Sequence, residues 1–414
     1  MVRLADLLRS GDLARASARV IGILIVAGAA LTLVLPVTIA GVFRDANPSR
    51  ALRWSPADAG ATANLAGQVL ASGPSPQIRE VVRAAAVSAL RRDTTIVAAY
   101  RILGLTADAA GDQAAAARFF AAAERTSRRD QATQAWLIMH HFRAGDAERT
   151  IRHFDTALRT STRNLPTLLP LLVRVSESPV MVPGLRRLLQ SRPSWAVDFA
   201  ASLIRGGRPL EHVVFLTRGL LDPAKADQAE LVQTLMTRLT QENRNDLAWS
   251  VYREHRPESR PPAELRDAGF EQGGALPPFD WALTDDLGLS ALRQARPDGG
   301  NALQLSAGNG RSGEVAQQLV RLPPRRYRVQ LEMAEIPADI AQRPTLSVRC
   351  AGSGAQTLID LRPSTAGEAP RRVAGDFSVP PGCVWQWVSL HAADQGTSAA
   401  TAPWVDNIAI APIS

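Results

Sequence analysis

Lysine is all but missing from this chain: of its 47 basic residues, only Lys225 is not arginine. A net charge of +8 built almost wholly from arginine fits the codon bias of a GC-rich bacterial genome at least as well as selection for phosphate. The arginines are scattered, often as pairs in helical stretches. No basic stripe interleaved with aromatics marks a nucleic-acid surface, so nucleic acid is not expected as a partner.

Several catalytic signatures are missing as well. The sole lysine follows Ala224, so no phosphate-cradling glycine loop exists. There is no His-Glu-x-x-His pattern and no Gly-x-Ser-x-Gly elbow. "GNGRSG", Gly308 to Gly313, fits G-x-G-x-x-G, but only "EVAQQLVRL" follows before Pro323-Pro324. A dinucleotide site needs those glycines to open a helix, so this reads as a strand connection. His140 and His141 are adjacent, and neighbouring helical side chains diverge by about 100°. They read as surface or groove histidines, not a metal pair. Asp285-Asp286 is no evident acid/base pair. The chain is read as non-enzymatic, with a glycan-modifying enzyme of unrecognised site as the alternative.

What is present divides the 414 residues into unlike parts. Val20 to Phe43, "VIGILIVAGAALTLVLPVTIAGVF", carries no charge. It is long enough for a bilayer core of about 30 Å, and longer than a signal peptide's usual core of about 7–15 residues. Arginines at 3, 9, 15 and 19 precede it. The expectation is a signal anchor over 20–43 and a cytoplasmic tail over 1–19. The bulk then lies beyond a bacterial inner membrane, in the periplasm. A cleaved signal peptide ending near Ala40 is the competing reading.

There are two cysteines, Cys350 and Cys383, both at the ends of strand-like runs. In an oxidising compartment they can pair as a disulfide, and otherwise they remain two thiols.

From about 57 to 257, apolar residues recur at helical spacing between short polar breaks. Gly111-Asp112 and Gly145-Asp146 repeat 34 residues apart. Ahead of the first stand Tyr100, Leu103 and Gly104; after it come Ala116, Phe120 and Ala123. Leu137, Phe154 and Ala157 recur at the same phase, although Ile138 stands where glycine is expected and Thr150 where alanine is. Residues 44–262 therefore resemble a tetratricopeptide-repeat array. The resemblance implies a helical solenoid that holds a protein partner.

After the polar, proline-bearing stretch at 257–262 the period changes to short alternating runs such as "YRVQLEMAE", "TLSVRC" and "VWQWVSL". "GFEQGG…FDW" opens this part and "WVDNI" closes it. Residues 263–414 thus resemble a carbohydrate-binding module with a galactose-binding-like jelly roll, an all-β sandwich. The resemblance implies a structural calcium at Glu271 and Asp406. Sugar binding would draw on aromatic faces, for which Trp281, Tyr327, Trp385, Trp387 and Trp404 are the candidates. Trp385 and Trp387 are two apart, which on a strand puts them on one face; they line either the core or a sugar platform.

The fold class expected is thus a multidomain α plus β chain: transmembrane helix, helical solenoid, jelly-roll sandwich. The order resembles accessory proteins of bacterial exopolysaccharide assembly and export. It implies a membrane-anchored scaffold that binds a protein partner and a polysaccharide. A pure protein–protein adaptor is the remaining alternative.

Overall fold

A computed structural model describes residues 23, 32, 34–73, 75–257, 263–273, 276–296, 299–308, 310–352, 356–394 and 402–413. Two compact units divide at Leu168/Leu169, and each is described by itself.

The first unit is helical. Its helices are α1 Pro48–Trp54, α2 Ala59–Ser72, α3 Pro76–Arg92, α4 Val97–Ala109, α5 Gln113–Thr126, α6 Gln131–Arg143 and α7 Ala147–Thr160. The two Gly-Asp breaks build the same turn twice. Gly111 (φ 82°) and Gly145 (φ 72°) take the left-handed conformation that closes a helix. The following aspartate then caps the next helix: Asp112 accepts from the Ala115 N–H, and Asp146 from that of Arg149. On α7 the buried residues Thr150, Ile151, Phe154, Ala157 and Leu158 form one stripe at helical spacing. Leu103, Ala116 and Phe120 are buried, while Tyr100 is half-buried.

The expected membrane anchor is overturned. Among the described residues no helix is long and apolar enough to cross a membrane. Of the stretch 20–43, only residues 23, 32 and 34–43 are described, and the rest lies outside the described residues. Its described end packs against protein: Ala40 is buried with Ala51 of α1 and Ala61 of α2. Arg44, just beyond, pairs with Asp58 at 2.8 Å. The tail expected over 1–19 lies outside the described residues; the inner-membrane attachment, periplasmic placement and role in polysaccharide assembly or export rested on that span, and they fall with it.

The second unit begins within α8 Leu165–Val175. It continues through α9 Val182–Gln190, α10 Ala196–Gly206, α11 Leu210–Thr217, α12 Ala226–Gln241 and α13 Asn245–His255. Trp195, Phe199, Leu185 and Leu172 are enclosed within this helical part. Arg238 of α12 donates to the Ile204 and Gly207 carbonyls at 2.6 and 2.7 Å, satisfying the C-terminal end of α10.

The strands that follow form two sheets. Their ranges are β1 Ala282–Leu283, β2 Asp285–Asp286, β3 Leu289–Ala295, β4 Asn301–Ala307, β5 Gly313–Val320, β6 Arg326–Ala334, β7 Thr345–Cys350, β8 Thr357–Leu361, β9 Arg371–Ser378, β10 Gln386–Ala392 and β11 Trp404–Pro412. One sheet has the order β1-β5-β10-β7-β8, the other β2-β3-β4-β11-β6-β9. Inward residues of both sheets share one core: Val388 and Leu390 of β10 and Val348 of β7 meet Leu303 of β4, Val329 of β6 and Val405 of β11. The expected jelly-roll sandwich is corrected to this two-sheet domain. Among the described residues the edge strands are β1 and β8 in one sheet and β2 and β9 in the other, and neither sheet closes on itself.

Within the second unit, α13 is welded to the start of the β domain. Tyr252 donates to Asp280 at 2.6 Å, and Asp280 also accepts the Leu276 N–H at 2.7 Å. Phe279 is held edge-on by Trp249 and Tyr252 and lies 5.6 Å from Trp385. The Arg266 guanidinium covers the Trp249 and Tyr252 rings at 5.3 and 4.9 Å.

Candidate functional site

Strand alternation decides which aromatic can meet a ligand. On β10, Val388, Leu390 and Ala392 point into the core, so Trp387, Ser389 and His391 point outward. On β7 the outward set is Thr345, Ser347 and Arg349, and on β5 it includes Glu314 and Gln317. In register, Arg349 stands opposite Trp387, Ser347 opposite Ser389, and Glu314 opposite His391.

Arg349 donates to Glu314 at 3.0 Å, although the two strands lie on either side of β10. Their ion pair therefore crosses β10 above Ser389. That roof explains why Ser389, on an outward face, is 0% exposed. Its hydroxyl oxygen is buried without a hydrogen-bond partner. Such a group is costly to leave unpaired, and it marks a place where a partner group is wanted.

Beside the roof, Ser347 Oγ and His391 Nε2 lie 3.4 Å apart. Burial holds the His391 imidazole below its ordinary pKa; Glu314 opposes this, Arg349 adds to it, and Asp360 opposes it. A depression of about 640 Å³ opens next to His391, lined among others by Thr345, Asp360, Arg362 and Ser312. The face thus offers a half-buried indole, a guanidinium–carboxylate pair and the His391 imidazole, while the Ser347 and Ser389 side chains are buried.

The residues expected to bind sugar are dispersed. Trp281 is enclosed against Phe270, at 5.4 Å between ring centres. Tyr327 is a core residue whose hydroxyl donates to the Pro323 carbonyl at 2.9 Å. Trp385 precedes β10 and is buried, with Arg321 over its ring at 5.6 Å. Trp404 is half-buried on the other sheet, beneath the Arg296 guanidinium at 4.8 Å. Only Trp387 stands in the outward row described above.

Cys350 and Cys383 form a disulfide, 33 residues apart in sequence. It fastens the end of β7 to the approach of β10.

The residues proposed for calcium are already satisfied by protein. Glu271 accepts the Asn301 N–H at 2.8 Å and its side-chain amide at 2.9 Å, tying the opening segment to β4. Asp406 is held by Arg296 and by the Asn407 N–H at 2.6 Å. Arg296 also reaches Glu332 at 3.3 Å. The Arg296 guanidinium thus bridges Asp406 and Glu332, while Glu271 is held separately by Asn301. Among the described residues no group of three or more His, Cys, Asp or Glu is placed to hold a metal.

The helical part presents its motif residues as packing: Gly104 meets Phe120, and Phe120 stacks on Trp136 at 4.2 Å. His140 lies on Trp136, and His141 on the buried His153.

No protein-family model and no curated protein matches the chain. Among solved structures, it is similar to the enzymatically active domain of the bacteriophage CBA120 tailspike protein 4, at 13% identity and a TM-score of 0.28. That match covers 36% of this chain and spans 22% of the tailspike chain. A second is the module TmCBM61 in complex with beta-1,4-galactotriose, at 17% identity and TM-score 0.27, covering 37% of this chain and 100% of that one. A third is the CBM22-2 xylan-binding domain from Paenibacillus barcinonensis Xyn10C, at 14% identity and TM-score 0.26, covering 36% and 99%. At these scores the likeness assigns neither a ligand nor an activity to this chain.

Proposed function

We propose that residues 263–414 bind a hydroxyl-rich ligand, a carbohydrate, on the outward face of the five-stranded sheet. The carrying observation is the Arg349–Glu314 pair that crosses the sheet face beside the outward indole of Trp387. A sugar's C–H face suits the indole, and its vicinal hydroxyls can donate to Glu314 while accepting from Arg349. Polar groups converging beside an aromatic wall are the usual make-up of such a site. The protein recognises the ligand without altering it.

The test is titration of the full chain with a panel of neutral and acidic oligosaccharides, repeated with Arg349→Gln and Glu314→Gln. Saturable binding weakened about tenfold or more in either variant supports the reading. Binding that is absent, or indifferent to both changes, removes it.

A second reading has one observation in its favour: the Ser347–His391 approach resembles a loose nucleophile–base pair. Hydrolysis of an acetylated sugar, lost in Ser347→Ala, would make the same face a glycan-modifying site.

A further inference from the structure

Helices α5 and α7 carry arginine at the same two positions. Arg118 and Arg125 lie on α5; Arg152 and Arg159 lie 34 residues later on α7. Seven residues are nearly two helical turns, so each pair shares one face and is separated by about 10 Å. That face is opposite the core: Ala116, Phe120 and Ala123 are buried on α5, and Thr150, Phe154 and Ala157 on α7. All four arginines are exposed.

The two helices are neighbours. His153 of α7 lies 3.4 Å from Glu124 of α5. That contact also draws inward the one acidic residue of α5, so its outward face carries positive charge alone. Arg159 pairs with Asp155 at 2.7 Å. Among the described residues, Arg118, Arg125 and Arg152 have no ion-pair partner. Solvent-facing helices commonly balance such charge with acids one turn away, and α5 does not.

We infer that this arginine lattice docks an acidic protein segment, a helix presenting carboxylates seven residues apart. Along each helix the paired arginines repeat about every 10 Å. Sparse carboxylates match that pitch, and guanidinium groups bind them in two-pronged fashion. Duplex nucleic acid, with one charge per about 1.7 Å, is a poor match, because Asp155 would face its dense phosphates. The surface lies in the first unit and is independent of the sheet face.

The experiment titrates the full chain against a labelled, alanine-rich helical peptide with glutamate at every seventh position. A lysine twin and a short DNA duplex are the comparison arms, each at low and raised salt. The inference expects binding of the glutamate peptide alone, weakened by salt and by at least about tenfold in Arg118→Glu/Arg152→Glu. Arg118→Gln/Arg152→Gln gives a smaller loss, and circular dichroism confirms that both variants keep their helices. No binding, equal binding of both peptides, tighter binding of the duplex, or indifference to charge reversal overturns it.

Discussion

Gly104 of α4 lies directly against the ring of Phe120 of α5: a β-carbon added at Gly104 would sit 2.7 Å from a ring carbon. Gly104→Ala is therefore expected to destabilise the first unit by about 1–3 kcal/mol through overpacking. Phe120→Leu in the same chain should recover part of that loss. Thermal melts followed by helical circular dichroism would show both effects.

His153 sets a pH dependence. It is fully enclosed, bonded through Nδ1 to Gln134 Oε1 at 2.9 Å, and faces Glu124, His141 and Asp146. Burial pushes its pKa down from 6.5 to about 4, helped by His141, Arg152 and Arg149. Between those values the unfolded chain binds a proton that the folded chain does not. Stability therefore falls as pH drops through this window and stops falling on this account below about 4. Urea midpoints measured across the window should show the slope, and His153→Gln should flatten it.

The Cys350–Cys383 bridge closes a loop of 33 residues. Replacing both by alanine should cost about 3–4 kcal/mol in the chain-entropy picture. The loss should appear as a lower denaturation midpoint for the β domain, matched by the native chain under reduction.

Arg296 bridges the carboxylates of Asp406 and Glu332. A chelator should leave the native melting temperature unchanged. Arg296→Met should lower stability by about 3 kcal/mol, because it strands the enclosed Asp406 carboxylate. A chelator-induced drop in the native protein would show that a metal, not the guanidinium, does this work.

Local chemistry made part of this molecule legible. The Gly-Asp pairs at 111–112 and 145–146 announce a left-handed turn followed by an N-cap, and the helices break there. The alternation in "VWQWVSL" announces β10, but it leaves open whether Trp387 faces the core or outward. What sequence could not show depends on distant partners. Trp385 and Trp387 look alike in "WQW", but Phe279, more than a hundred residues earlier, claims Trp385. The roof over Ser389 joins Glu314 to Arg349, 35 residues apart, across a strand that comes later still. Hydropathy marked residues 20–43 as a span, yet Ala40 is spoken for by Ala51 and Ala61. The acidic residue after Phe270 suggested a metal, and its partner is the backbone and side chain of Asn301.

The most direct measurement is calorimetric titration of the native chain and of Trp387→Ala with the same oligosaccharide panel, with Trp404→Phe as the control on the opposite sheet. The account predicts saturable binding of at least one oligosaccharide, weakened about tenfold or more by Trp387→Ala and untouched by Trp404→Phe. Equal affinity in the native chain and Trp387→Ala, or no binding across the panel, would contradict it.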